Sequence, residues 1–273
     1  MPDVTVVVPT RDRPRALEHC LAALDAQTMT DGFEVIVVDD GSADREAVAR
    51  VVMRHPTARL IRHESAAGPA AARNSGARAA HAPVLCFTDD DCMPEPEWAE
   101  RLSAAVAGGA AAVAGATLGD GDALSVAAEL IALAPTLAEP FAPSNNFACE
   151  KRLFDLVPFD ASYPYAAGED RDWCARIADA GFELRSEPSA RVWHHQELTL
   201  RSFLRRQVGY GEAAYQFRRL HTGGRLAPNS FYISLLRQSF ARGVLVGILV
   251  TIAQVATALG FIRARARARG SAQ

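Results

Sequence analysis

A chain of 273 residues, 49% apolar and with a formal net charge of −3, can bury a sizeable core as one large domain or as one domain with an appendage. Its five cysteines (Cys20, Cys86, Cys92, Cys149, Cys174) are odd in number and include no CxxC pair, which argues against a disulfide framework and a zinc site and fits a reducing, cytosolic setting. The charge is segregated: residues 1–199 hold 17 Lys+Arg against 31 Asp+Glu, whereas residues 200–273 hold 12 Arg against Glu212 alone. Two modules are therefore predicted, 1–198 and 199–273, the second basic and suited to an anionic partner.

Met1 runs almost at once into "VTVVVP", so no leader peptide is expected. Short β-branched runs then alternate with helical patterns: "VTVVVP", "ALEHCLAALDAQ", "FEVIVVDD", "REAVARVVMRH" and "ARLIRH". That alternation predicts βαβ units and an α/β fold with a mostly parallel sheet covered by helices. Polar residues gather where the strands end: Thr10 and Arg11, Asp39 and Asp40, and Asp89 to Asp91 after "APVLCFT". Ligands of open α/β sheets bind outside the carboxyl ends of the strands, so these clusters mark the expected site.

"GPAAARNSGARAAHAP" (68–83) predicts a helix bearing Arg73 and Asn74 on its early turns. "GEDRDWCARIADAG" (168–181) predicts another, opened by Gly168 and capped at its end by Gly181. "ELRSEPSARVWHH" then predicts a strand ending in His194 and His195. From Leu198 the pattern is helical and basic, and it closes with 20 uncharged residues (243–262) followed by Arg263, Arg265, Arg267 and Arg269.

Residues two apart in an extended strand point the same way, so Asp89 and Asp91 are expected to converge while Asp90 faces elsewhere. Paired carboxylates suit a hard cation such as Mg²⁺ or Mn²⁺, which completes its shell with water and phosphate oxygens. The same triplet also fits a solvated acidic turn, and a DxD alone is a weak motif. Cys92 beside it lacks a His/Asn partnership and reads as packing.

Taken in order, "VVVPTRDR", "VIVVDDGS", "GPAAARNSGAR", "FTDDDCMPEP" and "GEDRDWCARIADAG" make residues 4–197 resemble the family 2 glycosyltransferases, inverting, nucleotide-sugar-dependent enzymes of the GT-A fold. The resemblance implies that Pro9, Thr10 and Arg11 line a nucleotide pocket, that Asp40 and Asp39 contact base or ribose, and that Arg73 lies near base or diphosphate. It further implies that Asp89 and Asp90 belong to the nucleotide-sugar site, that Asp91 with Asp89 holds a divalent ion, and that His194 or His195 adds a ligand favouring Mn²⁺ over Mg²⁺. Only one of two successive strand residues can face the site.

The general base is implied at Asp170, with Glu169 holding its pKa up by like-charge repulsion. Acidic residues also favour the first turn of a helix for electrostatic reasons, which suffices for Asp172. Asn145 and Asn146 fall on the acceptor side, although Asn pairs are equally at home in turns. The donor expected is a nucleoside-diphosphate sugar, and the acceptor a glycan or lipid-linked glycan of a cell-envelope polysaccharide.

For the tail, a single crossing would leave the catalytic part and the trailing arginines on opposite sides, against the positive-inside rule. An in-plane or re-entrant helix bent near Gly243 and Gly247 is expected instead, peripheral or monotopic at an anionic membrane on its cytoplasmic face. Aromatic residues are only 7% and no recognition motif accompanies the arginines, so nucleic acid is not an expected partner. Two rival functions are a polyprenyl-phosphate glycosyl transferase, whose phosphate acceptor needs less of a base, and a non-catalytic nucleotide-sugar-binding membrane adaptor.

Overall fold

The computed structural model describes residues 3–29, 32–119, 121–137, 141–163, 167–221 and 227–270. In chain order, β1 (Val4–Thr10), α1 (Pro14–Asp25), β2 (Phe33–Asp39), α2 (Arg45–Val52), β3 (Ala58–Arg62), α3 (Pro69–Ala79) and β4 (Val84–Thr88) form the alternating N-terminal part. There follow β5 (Cys92–Pro94), α4 (Trp98–Ala107), β6 (Ala112–Gly119), α5 (Ala123–Leu133), β7 (Asn146–Glu150), α6 (Lys151–Leu156), α7 (Glu169–Asp179) and β8 (Leu184–His194). Three helices end the chain: α8 (Leu200–His221), α9 (Asn229–Ala241) and α10 (Val244–Gly270).

The chain divides into two compact units, one of residues 1–118 and 142–195, the other of residues 119–141 and 196–273. The second unit thus includes α5 from the middle of the chain as well as the three final helices. Its core joins Ala127 and Ile131 of α5 to Phe203 of α8, Leu235 of α9 and Leu249, Val250 and Ala253 of α10.

The first unit is built on a sheet of eight strands in the order β3-β2-β1-β4-β7-β6-β8-β5. Strands β1, β2, β3 and β4 are parallel, as the alternating pattern predicts, and β1 is buried along its whole length. In the other half β7 runs antiparallel to both β4 and β6, and β5 antiparallel to β8. β4 leads through a tight turn into β5 at the far edge of the sheet, with Cys92 N–H donating to Asp89 O at 3.1 Å.

An aromatic cluster ties α7 to the sheet. Trp173 packs edge-on against Phe87 of β4 at 5.7 Å between ring centroids and lies 4.0 Å from Phe159. Its indole N–H donates to Val157 O at 2.6 Å. Each such ring pair adds about 0.5–1.5 kcal/mol beyond its buried area, so the start of α7 is firmly placed. Gly168 opens that helix at φ 90, in the left-handed region, and at the other end Gly181 N–H bonds Ala178 O while Phe182 N–H bonds Ile177 O. This is the glycine-terminated cap that the sequence predicts.

Asn146 belongs to the fold rather than to an acceptor subsite. Its Oδ1 accepts the Trp98 indole N–H at 2.8 Å, and its Nδ2 donates to Ala116 O at 2.9 Å and Ala190 O at 3.0 Å. The buried side chain is thereby committed to α4, β6 and β8. Asn146→Ala would orphan a buried N–H and two carbonyls, at a cost of about 2–4 kcal/mol. The thermal midpoint is expected to fall by about 4–12 °C, and a fall of under 2 °C in a scanning calorimeter would show that Asn146 is not the hub described.

Candidate active site

The parallel strands β1, β2 and β4 end at one edge, and there the acidic residues separate into two kinds. Asp39 and Asp40 are held by their own loops. Buried Asp39 accepts Ser42 N–H at 2.9 Å and pairs with Arg62 at 3.1 Å. Asp40 accepts Ala67 N–H at 2.9 Å and His63 Nδ1 at 2.7 Å on one oxygen, and Gly68 N–H at 2.8 Å on the other. The pair expected at base or ribose thus has its oxygens turned to the loops that lead into α2 and α3. Pro9 is buried within β1, and exposed Arg11 pairs with Asp12 at 3.6 Å.

The triplet is a tight turn between β4 and β5, so strand alternation does not apply to it, and the expected convergence of Asp89 and Asp91 gives way to three separate roles. Asp90 points inward, fully buried, where Thr10 Oγ1 donates to it at 2.6 Å and Arg13 Nη2 lies 2.6 Å away. Burial pushes its carboxyl up to about 7, with repulsion from Asp91 and Asp89 adding to the effect and Arg13 and Thr10 opposing it. Asp91 faces Arg13 Nη1 at 2.7 Å and His194 Nε2 at 3.2 Å. Asp89 takes the Arg73 guanidinium at 2.6 Å.

The β5–β8 register sets His194 opposite Cys92. His195 continues this pairing through its backbone N–H to Asp91 O at 2.9 Å. Side chains of successive strand residues diverge, so His194 is the histidine that meets Asp91. Asn145 supports it from behind, its Nδ2 lying 3.4 Å from His194 Nδ1 while its Oδ1 accepts from Thr117 at 3.1 Å. Asn145 therefore acts on a histidine here, and no acceptor contact is needed to explain it.

Asp91, Cys92 and His194 bring ligand atoms within 4.8 Å of one another. Cys92 is fully buried and burial pushes its thiol far up, which leaves a carboxylate oxygen and an imidazole nitrogen as the usable donors. That donor set fits a borderline-hard divalent ion such as Mn²⁺.

The second cluster forms around Arg73, which α3 delivers into the interior. Besides Asp89 it approaches Glu169 at 3.4 Å and Asp170 at 3.9 Å, and it lies over the Phe159 ring at 5.6 Å. Burial disfavours the Arg73 cation, but Asp89, Asp170 and Glu169 outweigh burial and hold its pKa above the usual value. Glu169 is pushed up to about 8 by burial and then by the Asp170 charge, against the pull of Arg73. Asp170 is raised as well, by burial foremost, against the pull of Arg73 and Ser144. Desolvation rather than repulsion from Glu169 is thus the main cause at Asp170.

Several buried polar atoms of this cluster make no hydrogen bond: Asp170 Oδ1, Glu169 Oε2, Arg73 Nε, Ser144 Oγ and, at the end of β4, Thr88 Oγ1. The other Asp170 oxygen accepts Ser144 N–H at 3.1 Å. Buried polar groups are nearly always satisfied, so orphan atoms gathered in one place mark where water or a polar ligand completes the bonding.

Arg13, His63 and Ser144 were not singled out from sequence. Arg13 had a legible signal: Pro14 favours the first helical position, which puts Arg13 at the junction of β1 and α1, beside the expected site. Ser144 acts through its backbone and had none.

Residues 5–164 match the family described as glycosyl transferase family 2. The pre-mycofactocin glycosyltransferase of Mycobacterium tuberculosis (strain ATCC 25618 / H37Rv) is 32% identical over 227 residues, covering 78% of this chain and 47% of that protein. Glycosyltransferase AglE of Haloferax volcanii is 27% identical over 196 residues, covering 67% of this chain and 64% of that one. The chain thus spans about half to two thirds of the length of these relatives. Among solved structures, mannosyltransferase PcManGT from Pyrobaculum calidifontis, in complex with GDP-Man and Mn²⁺, superposes with a TM-score of 0.62 at 22% identity, over 99% of this chain and 79% of that one. S. aureus TarS gives a TM-score of 0.57 at 14% identity, over 96% and 54%. Fold, motif order and family match converge: the chain belongs to glycosyl transferase family 2, with a GT-A fold.

Proposed function

We propose that the chain is an inverting glycosyltransferase that moves a sugar from a nucleoside diphosphate to an acceptor hydroxyl, with Asp170 as general base. The observation that carries this reading is the Asp170 carboxylate, with one oxygen fixed by Ser144 N–H and the other, 3.9 Å from Arg73, making no hydrogen bond inside a buried polar cluster. The acceptor O–H gives its proton to Asp170 Oδ1 as its oxygen bonds the anomeric carbon, and the bond from that carbon to the diphosphate oxygen breaks on the opposite face. A raised pKa suits Asp170 to take a proton near neutral pH. Arg73 limits the rise, since its charge favours the ionised base. Asp91 and His194, with Asp89 nearby, are the residues that would hold a divalent ion, which supplies positive charge to the departing diphosphate. Mn²⁺ bound to the related mannosyltransferase supports that assignment.

Asp170→Asn is expected to lower turnover by about 10²–10⁴, the usual worth of a general base. It should leave intact the thermal stabilisation that a matching nucleoside diphosphate gives with Mn²⁺. Asp91→Ala should remove that stabilisation. A variant Asp170→Asn with near-normal turnover would instead favour a polyprenyl-phosphate acceptor. Folded protein that binds nucleotide but yields no product with any acceptor would favour the adaptor.

The pH profile tests the base separately. Asp170 must be ionised to act, so kcat/KM is expected to rise with pH through a value above the ordinary carboxylate range. Glu169, pushed up to about 8, is largely protonated where Asp170 ionises, so Glu169→Gln should leave the rising limb nearly in place. A limb that moves down by about one unit or more would show a charged Glu169 beside the base and count against this division of roles.

We also place the helical unit at an anionic membrane surface. Leu245, Ile248, Ile252, Val255, Leu259 and Ile262 recur at alternate spacings of three and four along α10, and each is 44–62% exposed. The other face, with Leu249, Val250 and Ala253, packs into the unit's own core. By length and composition α10 could cross a membrane, but a helix bound along one side by a basic bundle fits in-plane binding better. Pairing of two copies through the stripe would bring the arginines at 263, 265, 267 and 269 near the like-charged Arg237 and Arg242 or near their own copies. Glu212 pairs with Arg263 at 3.7 Å and Arg267 at 3.3 Å, and anionic headgroups would offset the charge that remains. The double variant Ile252→Asp/Leu259→Asp is expected to lower partitioning onto anionic vesicles by on the order of 100-fold. Equal flotation of wild type and variant, or a concentration-dependent dimer that the variant abolishes, would refute the membrane reading.

A further inference from the structure

We infer that Arg13 sets which divalent ion the acidic turn accepts: by holding one oxygen of Asp91 it leaves that residue a single-oxygen ligand, which suits a small ion such as Mn²⁺ and works against Ca²⁺. The inference rests on the donor-site reading above and adds to it the choice of ion.

The two oxygens of Asp91 face different neighbours. Oδ2 lies 2.7 Å from Arg13 Nη1, whereas Oδ1 is turned to His194 Nε2 at 3.2 Å and lies 4.0 Å from Cys92 Sγ. An ion held by Asp91 and His194 therefore uses Oδ1 and leaves the arginine in place. The guanidinium is anchored at its other end as well, with Nη2 2.6 Å from Asp90, whose side chain is fully buried and accepts Thr10 Oγ1–H at 2.6 Å. Arg13 thus ties the orientation of Asp91 to the interior.

The backbone beneath it is held in an unusual shape. Asp12 has φ 56, the only left-handed non-glycine among the described residues. That conformation is secured by Asp12 N–H to Ser42 Oγ at 2.9 Å and by Ala43 N–H to Asp12 Oδ1 at 2.7 Å. Pro14 then starts α1 directly after Arg13. A residue in a sparsely populated region persists only where its surroundings fix it, and here the result is to aim Arg13 across the turn.

The consequence lies in coordination chemistry. Ca²⁺ gathers about six to eight oxygens and commonly takes both oxygens of a carboxylate, whereas a smaller octahedral ion needs one oxygen per carboxylate and keeps positions for water and phosphate. With Oδ2 committed to Arg13, a two-oxygen grip on Ca²⁺ would have to break that bond. Mn²⁺ loses nothing by the arrangement. The positions that Asp91 does not fill stay open to diphosphate oxygens. Contacts of this kind, on the far side of a ligating group, orient the ligand and tune the site. Arg13 is a positioning residue in this scheme.

The test is competition between Mn²⁺ and Ca²⁺ on the full chain, followed by the EPR signal of free Mn²⁺. Arg13→Met keeps the stem of the side chain and loses its donors, and Arg13→Ala is a second variant of the same kind. Either one changes the local charge equally for two dications, so the ratio of affinities isolates the effect of the freed oxygen. Wild type is expected to prefer Mn²⁺, and the preference should fall by about 10-fold in both variants, with Ca²⁺ gaining more than Mn²⁺. Loss of a merely structural residue would weaken both ions together and leave the ratio alone. A ratio that is unchanged or rises overturns the proposal. Asp91→Asn separates this inference from the reading beneath it. If it abolishes Mn²⁺ binding while the Arg13 variants keep the wild-type ratio, only the role of Arg13 falls; if it binds Mn²⁺ as wild type does, the ion is not at Asp91 and both fall.

Discussion

The arrangement of the site depends on one buried cation. Arg73 enters the interior from α3 and meets Asp89 at 2.6 Å, Glu169 at 3.4 Å and Asp170 at 3.9 Å. Moving such charges out of water costs several kcal/mol each unless they neutralise one another, so neither the arginine nor the acids could occupy this place alone. The cluster also joins parts distant in sequence. Asp89 closes β4, and Glu169 and Asp170 open α7. The side chains assigned to donor and base thus share a single counter-ion. The aromatic cluster of Trp173, Phe87 and Phe159 fixes the same junction by packing, and Phe159 adds its ring face to the guanidinium.

Much of this was legible in the sequence, because it follows from local rules. Strand and helix periods gave the βαβ half of the sheet, and the glycines at 168 and 181 gave both ends of α7. Polar clusters after strands pointed to one edge of the sheet. What remained hidden needed partners in three dimensions. Asn145 and Asn146 are the same residue type at adjacent positions, yet one meets His194 and the other locks Trp98 to two strands. Only the sheet register separates them. The antiparallel half of the sheet was equally hidden, since β7 reaches its place after residues 119–141 have joined the helical unit. The triplet read as strand until the Asp89–Cys92 hydrogen bond made it a turn.

The structure sorts the many acids of this edge by a criterion that sequence cannot supply: whether each carboxylate oxygen already has a donor. Asp40 accepts on both oxygens from its own loops, and Asp39 is held by Ser42 N–H and Arg62. Such groups are oriented by their own loops. In the "GED" pair each acid keeps one buried oxygen without a hydrogen bond. Exposure then divides them: the Glu169 side chain is 6% exposed and Asp170 22%, so Asp170 lies nearer solvent while Glu169 sits against Arg73. Burial raises the pKa of both, and only Asp170 combines a raised pKa and an unbonded oxygen with a partly exposed side chain. The proposed base is therefore distinguished from its neighbour by position rather than by chemistry, and the start of α7, fixed by Gly168 and Trp173, is what sets that position.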